Sequence, residues 1–397
     1  MSSEGENGEG TMTTSPKEKR VSSQVRKVRG MMLDRVDIIF NPVSGTGDPD
    51  SELNFIKEHL ETGFHKVVVH KTTPEVEGDE LTRNAIEDGA QVIVASGGDG
   101  TVACCAAAIS QSGSKATLGV IPRGTANAFC AALGIPSDLQ GACEQILRGN
   151  TRNIDVPYVD GKPMMLLLGI GLEAQAVRRA DRGLKRAIGA LAYIFSGIKS
   201  MAQQSKFQTT ITMQNVEDNL SFGGKLVGEK IELKNLKVTE VTVANSAPAT
   251  SVLAQGIGAV RPDDGLLEVV CLAAEGLSDT VDALTSMFSA GVFRTRVQRA
   301  DLFGLRAREV YITCDPPQHV VVDGEEVGKT PVRVKLDPEN QIQVLAPKAK
   351  VLIKKQRKFG RFLTRFLRNM KGIAVFSIAI ALLSRSKKAK TPRLICE

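Results

Sequence analysis

Through its first third the chain alternates short apolar, β-branched runs with stretches of helical period. Residues 36–40 (VDIIF), 66–70, 91–94 (QVIV) and 117–121 read as strands. Residues 51–60, 79–88 and 102–109 read as helices, and another helix opens near Ala128 and runs to about Leu133. The run at residues 91–94 is, after Gln91, apolar and β-branched rather than alternating, as in a strand buried on both faces of a parallel sheet. Strand–helix repetition of this kind predicts an α/β domain, a parallel sheet with helices on both faces. The polar loops that follow these strands then gather at their carboxyl ends, where such sheets bind ligands.

From Arg152 onward the pattern changes to short β-type runs punctuated by Gly and Pro, at residues 163–168, 207–213, 237–244, 266–272, 309–313, 319–322 and 341–345. They predict a β-sandwich, with one helical insertion at residues 174–202. This pattern divides the chain into a disordered tail (1–33), an α/β domain (34–150), a β-sandwich domain (151–347) and a basic amphipathic tail (348–397), with a cleft expected between the two domains. Residues 1–33 are rich in Ser, Gly, Glu, Lys and Thr and lack the apolar stretch of a signal peptide.

The loops carry the chemistry. Gly97-Gly98-Asp99-Gly100-Thr101 joins a strand to a helix. Glycines let the backbone approach a phosphate, and the helix start offers unpaired N–H groups and the positive end of a dipole. Asp99 would repel a bare phosphate; it fits if Mg²⁺ or a ribose hydroxyl stands between. Asn41-Pro42-Val43-Ser44-Gly45 and Pro122-Arg123-Gly124-Thr125-Ala126-Asn127 end two further strands. The seven cysteines show no C-x-x-C spacing, which argues for a reducing compartment and against structural zinc. The four histidines are scattered, so a catalytic base is expected among the carboxylates. Net charge is +7, but residues 348–397 hold fifteen Lys/Arg against Glu397, or +14, which leaves −7 for the body. Such a body does not suit a nucleic acid partner, and none is expected.

Five elements in this order, Asn41-Pro-x-Ser-Gly45, a threonine loop before Gly78-Asp79, Gly97-Gly-Asp-Gly-Thr101, Pro122-x-Gly-Thr-x-Asn127 and Asp323-Gly324-Glu325, resemble the catalytic family of diacylglycerol, sphingosine and ceramide kinases and their bacterial relatives. The resemblance implies an ATP- and Mg²⁺-dependent lipid kinase acting on diacylglycerol or a sphingoid base. It implies an ATP site lined by Asn41, Pro42, Ser44, Gly45, Thr73 (or Thr72), Gly97, Gly98, Asp99, Gly100, Thr101, Gly124, Thr125 and Asn127. Asp99 would act through Mg²⁺ and water, and Glu325 would be the proton acceptor, although Asp-Gly-Glu is also an ordinary hairpin turn. A second, structural Mg²⁺ is implied at the backbone oxygens of Arg261 and Leu266 with Asp264, a stretch that also reads as a surface turn. Residues Glu173, Lys185, Gly189 and Tyr193 look like the family's segment after its first sandwich strand. The chain departs from the pattern at Ala103 and Cys104, where relatives commonly carry Asn-Glu, and at Ala128, where many diacylglycerol kinases carry Asp. A soluble metabolite kinase of the NAD kinase or phosphofructokinase type, or a non-catalytic lipid-binding relative, is the alternative.

In the basic tail Phe359, Phe362, Leu363, Phe366, Leu367 and Met370 recur at helical spacing, with Lys358, Arg361, Arg365 and Arg368 on another face. A helix of this kind suits an anionic membrane surface, or docks on the acidic body. The apolar run at 373–383 is too short to span a bilayer, which takes about 20 residues. The expectation is a cytoplasmic, peripherally membrane-associated enzyme with a lipid substrate; a homodimer is left open.

Overall fold

Strand β1, Leu33–Phe40, is an inner strand of the first sheet and buries both of its faces over residues 36–40. Val36, Ile38 and Phe40 point into one apolar cluster and Ile39 into another, which is why the run carries no polar alternation in this stretch beyond Asp37. The computed structural model describes residues 33–172, 174–175, 206–217, 228–247, 260–273 and 301–348, with Ala283, Ser286 and Arg299. The expected disordered tail, nearly all of the helical insertion and of the basic tail, and Glu173, Lys185, Gly189 and Tyr193 lie outside the described residues.

Beside β1 stand β2 (Phe64–Lys71) and β3 (Val92–Gly97), and β3 is followed by β4 (Thr117–Pro122), all parallel. The order β2-β1-β3-β4 reverses direction between β1 and β3, which creates a crevice at their carboxyl ends. Helix α1 (Pro49–Glu61) begins at an Asp48 cap that accepts from the Ser51 N–H at 2.8 Å, with proline at the first helical position. Its Leu53, Ile56 and Leu60 pack with Ile146 of α5 (Leu139–Arg148) on one face of the sheet. Helices α2 (Gly78–Glu87), α3 (Asp99–Ser112) and α4 (Ala128–Leu133) cover the other face, through Ala85, Val102, Ala106 and Phe129. The expected parallel sheet with helices on both faces is observed.

The remaining strands form two antiparallel six-stranded sheets. One runs β10 (Gly228–Val238), β9 (Phe207–Val216), β14 (Glu309–Asp315), β17 (Val332–Lys335), β6 (Tyr158–Val159), β7 (Lys162–Pro163). The other runs β13 (Leu302–Ala307), β12 (Leu267–Leu272), β11 (Glu240–Ala244), β8 (Leu167–Gly171), β15 (His319–Val322), β16 (Glu325–Lys329). Ile211, Met213, Val310, Ile312 and Val334 of the first meet Ile170, Val241, Val243, Val269 and Val320 of the second in one apolar cluster, the core of a β-sandwich.

Three strand readings are corrected. The run 341–345, assigned above to the sandwich, is β18 (Gln341–Leu345), which pairs parallel to β4 and antiparallel to β5 (Thr151–Asp155) in the first sheet. Its alternating burial suits a strand with one solvent-facing side in either sheet, so the pattern could not choose. The run 163–168 is broken between β7 and β8, because the N–H groups of Met165 and Leu166 go to a side chain instead of a ladder. The run 237–244 is divided at Thr239, between β10 of one sheet and β11 of the other.

Candidate active site

Three loops meet in the crevice between β1 and β3. The Asn41 N–H donates to Ser96 O at 2.9 Å and its side-chain amide to Thr101 Oγ1 at 3.3 Å, which ties the loop after β1 to the start of α3. The Asn41 Oδ1 also accepts from the Val43 N–H, shaping the Pro42–Ser44 turn, and Gly45 follows at φ +96°, a conformation that favours glycine. Gly97 and Gly124 answer a different demand, close approach. A Cβ on Gly97 would lie 2.3 Å from Thr101 Oγ1, and one on Gly124 would lie 2.6 Å from Gly98 Cα. The backbones of the second and third loops therefore touch. Asn127, at φ +45°, clamps the third loop by accepting from Gly124 N–H and donating to Gly124 O. Thr125 and Gly100 stand exposed at the rim.

Helix α3 starts at Gly98 with no side chain capping it, so its first-turn N–H groups are available to an anion. Of the two threonines considered, Thr73 turns its hydroxyl onto the N–H groups of Glu75 and Val76, within its own loop. Thr72 sits half-buried with its methyl toward Gly78 at the start of α2.

Asp99 belongs to the first turn of α3 yet caps a neighbouring helix: its Oδ1 accepts from the Phe129 N–H of α4 at 3.1 Å. Across the crevice the hairpin between β15 and β16 turns at Asp323 (φ +50°) and Gly324 (φ +89°). The Asp323 carboxylate points inward and accepts from Met165, Leu166 and Leu167 N–H at 2.7, 2.8 and 3.0 Å. Burial pushes its pKa above the usual carboxylate range; the three N–H donors oppose this, and the negative charge of Asp99 adds to it. Met165 to Leu167, which hold Asp323, share an apolar cluster with Val102 of α3 and with Phe129, whose N–H holds Asp99. Glu325, the expected proton acceptor, opens β16 and is exposed. Asp99 thus stands on the α/β domain and Glu325 on the β-sandwich domain.

At the expected second metal position, Arg261 is exposed, Leu266 is buried and Asp264 is half-buried. Asp264 Oδ2 contacts the guanidinium of Arg306, which also stands 3.0 Å from Glu268 Oε1. The Asp264 Oδ1 is buried without a hydrogen-bond partner, the feature here that suits a cation. Burial raises the Asp264 pKa against the opposing pull of Arg306. Among the described residues, no group of three or more His, Cys, Asp or Glu side chains is arranged to hold a metal.

Two residues that hold the site together are not picked out by the sequence reading. Asp323 stands inside a quoted motif, but its inward role depends on β8 reaching it from 156 residues away. Arg123 occupies the free position of Pro-x-Gly-Thr, and its single hint is a charged residue directly after a buried strand.

A model of the diacylglycerol kinase catalytic domain matches residues 35–159, and a model of the YegS C-terminal NAD kinase beta sandwich-like domain matches residues 167–346. An uncharacterised protein of Synechocystis sp. is 37% identical over 321 residues, 78% of this chain and 70% of its own. A diacylglycerol kinase of Bacillus subtilis is 25% identical over 80% of this chain and 98% of its own, and one of Staphylococcus aureus 26% identical over 80% and 93%. Two solved chains from Bacillus anthracis str. Sterne superpose with TM-scores of 0.63 and 0.58 at 24% and 20% identity, covering 80% of this chain and 99% of theirs; the second is described as a diacylglycerol kinase. Fold, two-domain order and sequence agree: the chain belongs to the diacylglycerol kinase catalytic family of lipid kinases.

Proposed function

We propose that the protein transfers the γ-phosphate of ATP to a free hydroxyl of a membrane lipid, diacylglycerol first, with a sphingoid base as the competing acceptor. One observation carries the reading: two glycine backbones lie in contact beside an uncapped helix start whose first turn carries the Asp99 carboxylate, an arrangement suited to phosphates and their cation. Asn41, Gly97 to Thr101 and Gly124 to Asn127 bind the nucleotide, with Thr72 favoured over Thr73, whose hydroxyl is engaged within its own loop. Asp99 is the residue to hold Mg²⁺, through water, because one of its oxygens is already engaged at Phe129. Bound there, Mg²⁺ would neutralise charge on the phosphates. Glu325 accepts the proton of the lipid hydroxyl. The unpaired Asp264 Oδ1 supports a second, structural ion.

Among the described residues no helix is long and apolar enough to cross a membrane. The basic, apolar-striped tail supports peripheral attachment to an anionic surface from the cytoplasmic side. The test is phosphorylation of a lipid panel by purified protein with labelled ATP, against a soluble control set of NAD and sugar phosphates. Label in diacylglycerol is expected. Label confined to a sphingoid base redirects the substrate, and label in a soluble acceptor overturns the reading.

A further inference from the structure

Arg123 is a charge in an apolar place. Its side chain is 1% exposed, while its partner Glu52 on α1 is 21% exposed. The guanidinium carbon lies over the Phe40 ring, 4.1 Å from its centroid; Nε donates to Glu52 Oε2 at 2.7 Å and Nη2 stands 2.6 Å from the same oxygen. Its remaining arm, Nη1, donates to the carbonyl of Asn41 at 2.8 Å. Its own N–H is bound to Gly97 O at 2.8 Å. One residue therefore touches all three loops: it begins the third, it is bonded to the glycine that opens the second, and it grips the first. Gly45 completes the fit, since a Cβ there would lie 3.3 Å from Nη2.

Burying a cation is costly, and here Nε and Nη1 donate hydrogen bonds while Nη2, buried without one, is held by the charge of Glu52; a planar fork suits these fixed positions better than an ammonium does. The destinations of this fork lie on the phosphate-binding side of the sheet. We infer that Arg123 is a positioning residue that sets the Asn41–Gly45 loop against the Gly97 and Gly124 loops, fixing the recess for the nucleotide phosphates. The inference rests on the ATP reading above. Arg123 reaches the nucleotide through the Asn41 backbone, so its loss moves a loop and leaves the lipid-facing hairpin alone.

The experiment is steady-state kinetics of Arg123→Lys and Glu52→Gln in the full chain, varying ATP and lipid separately, with thermal melts of each. Misplacing a binding group by an ångström lowers efficiency by roughly 10²-fold, so Arg123→Lys is expected to lose about that in kcat/KM for ATP, mostly in KM. The KM for lipid should be unchanged. Glu52→Gln keeps an acceptor oxygen on a partly exposed helix and should show the same split with a smaller size. If Arg123→Lys does not fold, Glu52→Gln decides alone. An unchanged KM for ATP in the folded variants, or equal loss toward both substrates, would overturn the inference. Absence of ATP-dependent lipid phosphorylation in the unaltered protein would instead overturn the function on which it rests.

Discussion

Asp99 commits one carboxylate oxygen to the Phe129 amide, and that small fact separates fold from chemistry at this position. Asparagine still offers an oxygen to that amide, so Asp99→Asn should melt near the parent temperature. It removes the negative charge that in the proposed site would organise Mg²⁺, and kcat should fall by roughly 10²-fold or more. Near-normal turnover in the folded variant would remove Asp99 from the phosphate site. The hairpin residues differ in the opposite sense. Glu325 is exposed, so Glu325→Gln should leave the melt unchanged while transfer to lipid falls by roughly 10²–10⁴-fold and ATP still binds. Asp323 serves as acceptor for three N–H groups, and Asp323→Asn turns an amide donor toward them, a change expected to lower stability by about 1–3 kcal/mol. Denaturant titration of this pair distinguishes the two neighbours. Asp99 and the glycines were legible in the sequence because local turn chemistry dictates them. The inward direction of Asp323 was not, since its donors come from Met165 to Leu167 and no local pattern links the two stretches.

Elements were read well where one hydrogen-bonding partner type sufficed. Strands β3 and β4 lie between two helical layers, so they are buried almost throughout and their composition is unambiguous, whereas β2 at the sheet edge is buried only at Phe64. Sandwich strands such as β10, exposed along most of its length, carry too little apolar signal, and β18 could belong to either sheet. The loops between elements show a further limit: glycine in a loop was legible as permission to turn, whereas Gly124 is needed because another backbone lies against it. Gly124→Ala tests this. Its Cβ meets Gly98 Cα, backbone that cannot rotate away, so a cost of about 1–3 kcal/mol is expected from overpacking. A loss of ATP affinity should accompany it. If the melt and the affinity are both unchanged, the two loops are not in fixed contact.

At the scale of the whole molecule, the chain crosses between its two halves and returns. Residues 151–155 and 341–345 close the first sheet, and between them the polypeptide builds the sandwich, so the α/β unit is incomplete until the sandwich has been traversed. The boundary expected at residue 150 is thus crossed by the sheet itself. This topology gives the basic tail a clean test. β18 ends at Leu345, and the Ala346 N–H still bonds to Asn150 O at 3.0 Å. A chain stopped after Pro347 retains every described strand and helix and every proposed site residue. A chain stopped before Gln341 removes a strand lying between β4 and β5 and should fail to fold. Each Lys or Arg near an anionic surface contributes about 1 kcal/mol, screened over about 8 Å at physiological salt. Lys358, Arg361, Arg365 and Arg368 with the three phenylalanines among them are enough for salt-sensitive vesicle binding. Truncation after Pro347 should therefore abolish sedimentation with anionic vesicles at low salt, leave neutral vesicles indifferent, and spare activity on detergent-dispersed lipid. Equal sedimentation of the shortened and full chains would show that the anchor lies in the body. A shortened chain that unfolds would show that the tail covers the core rather than the membrane.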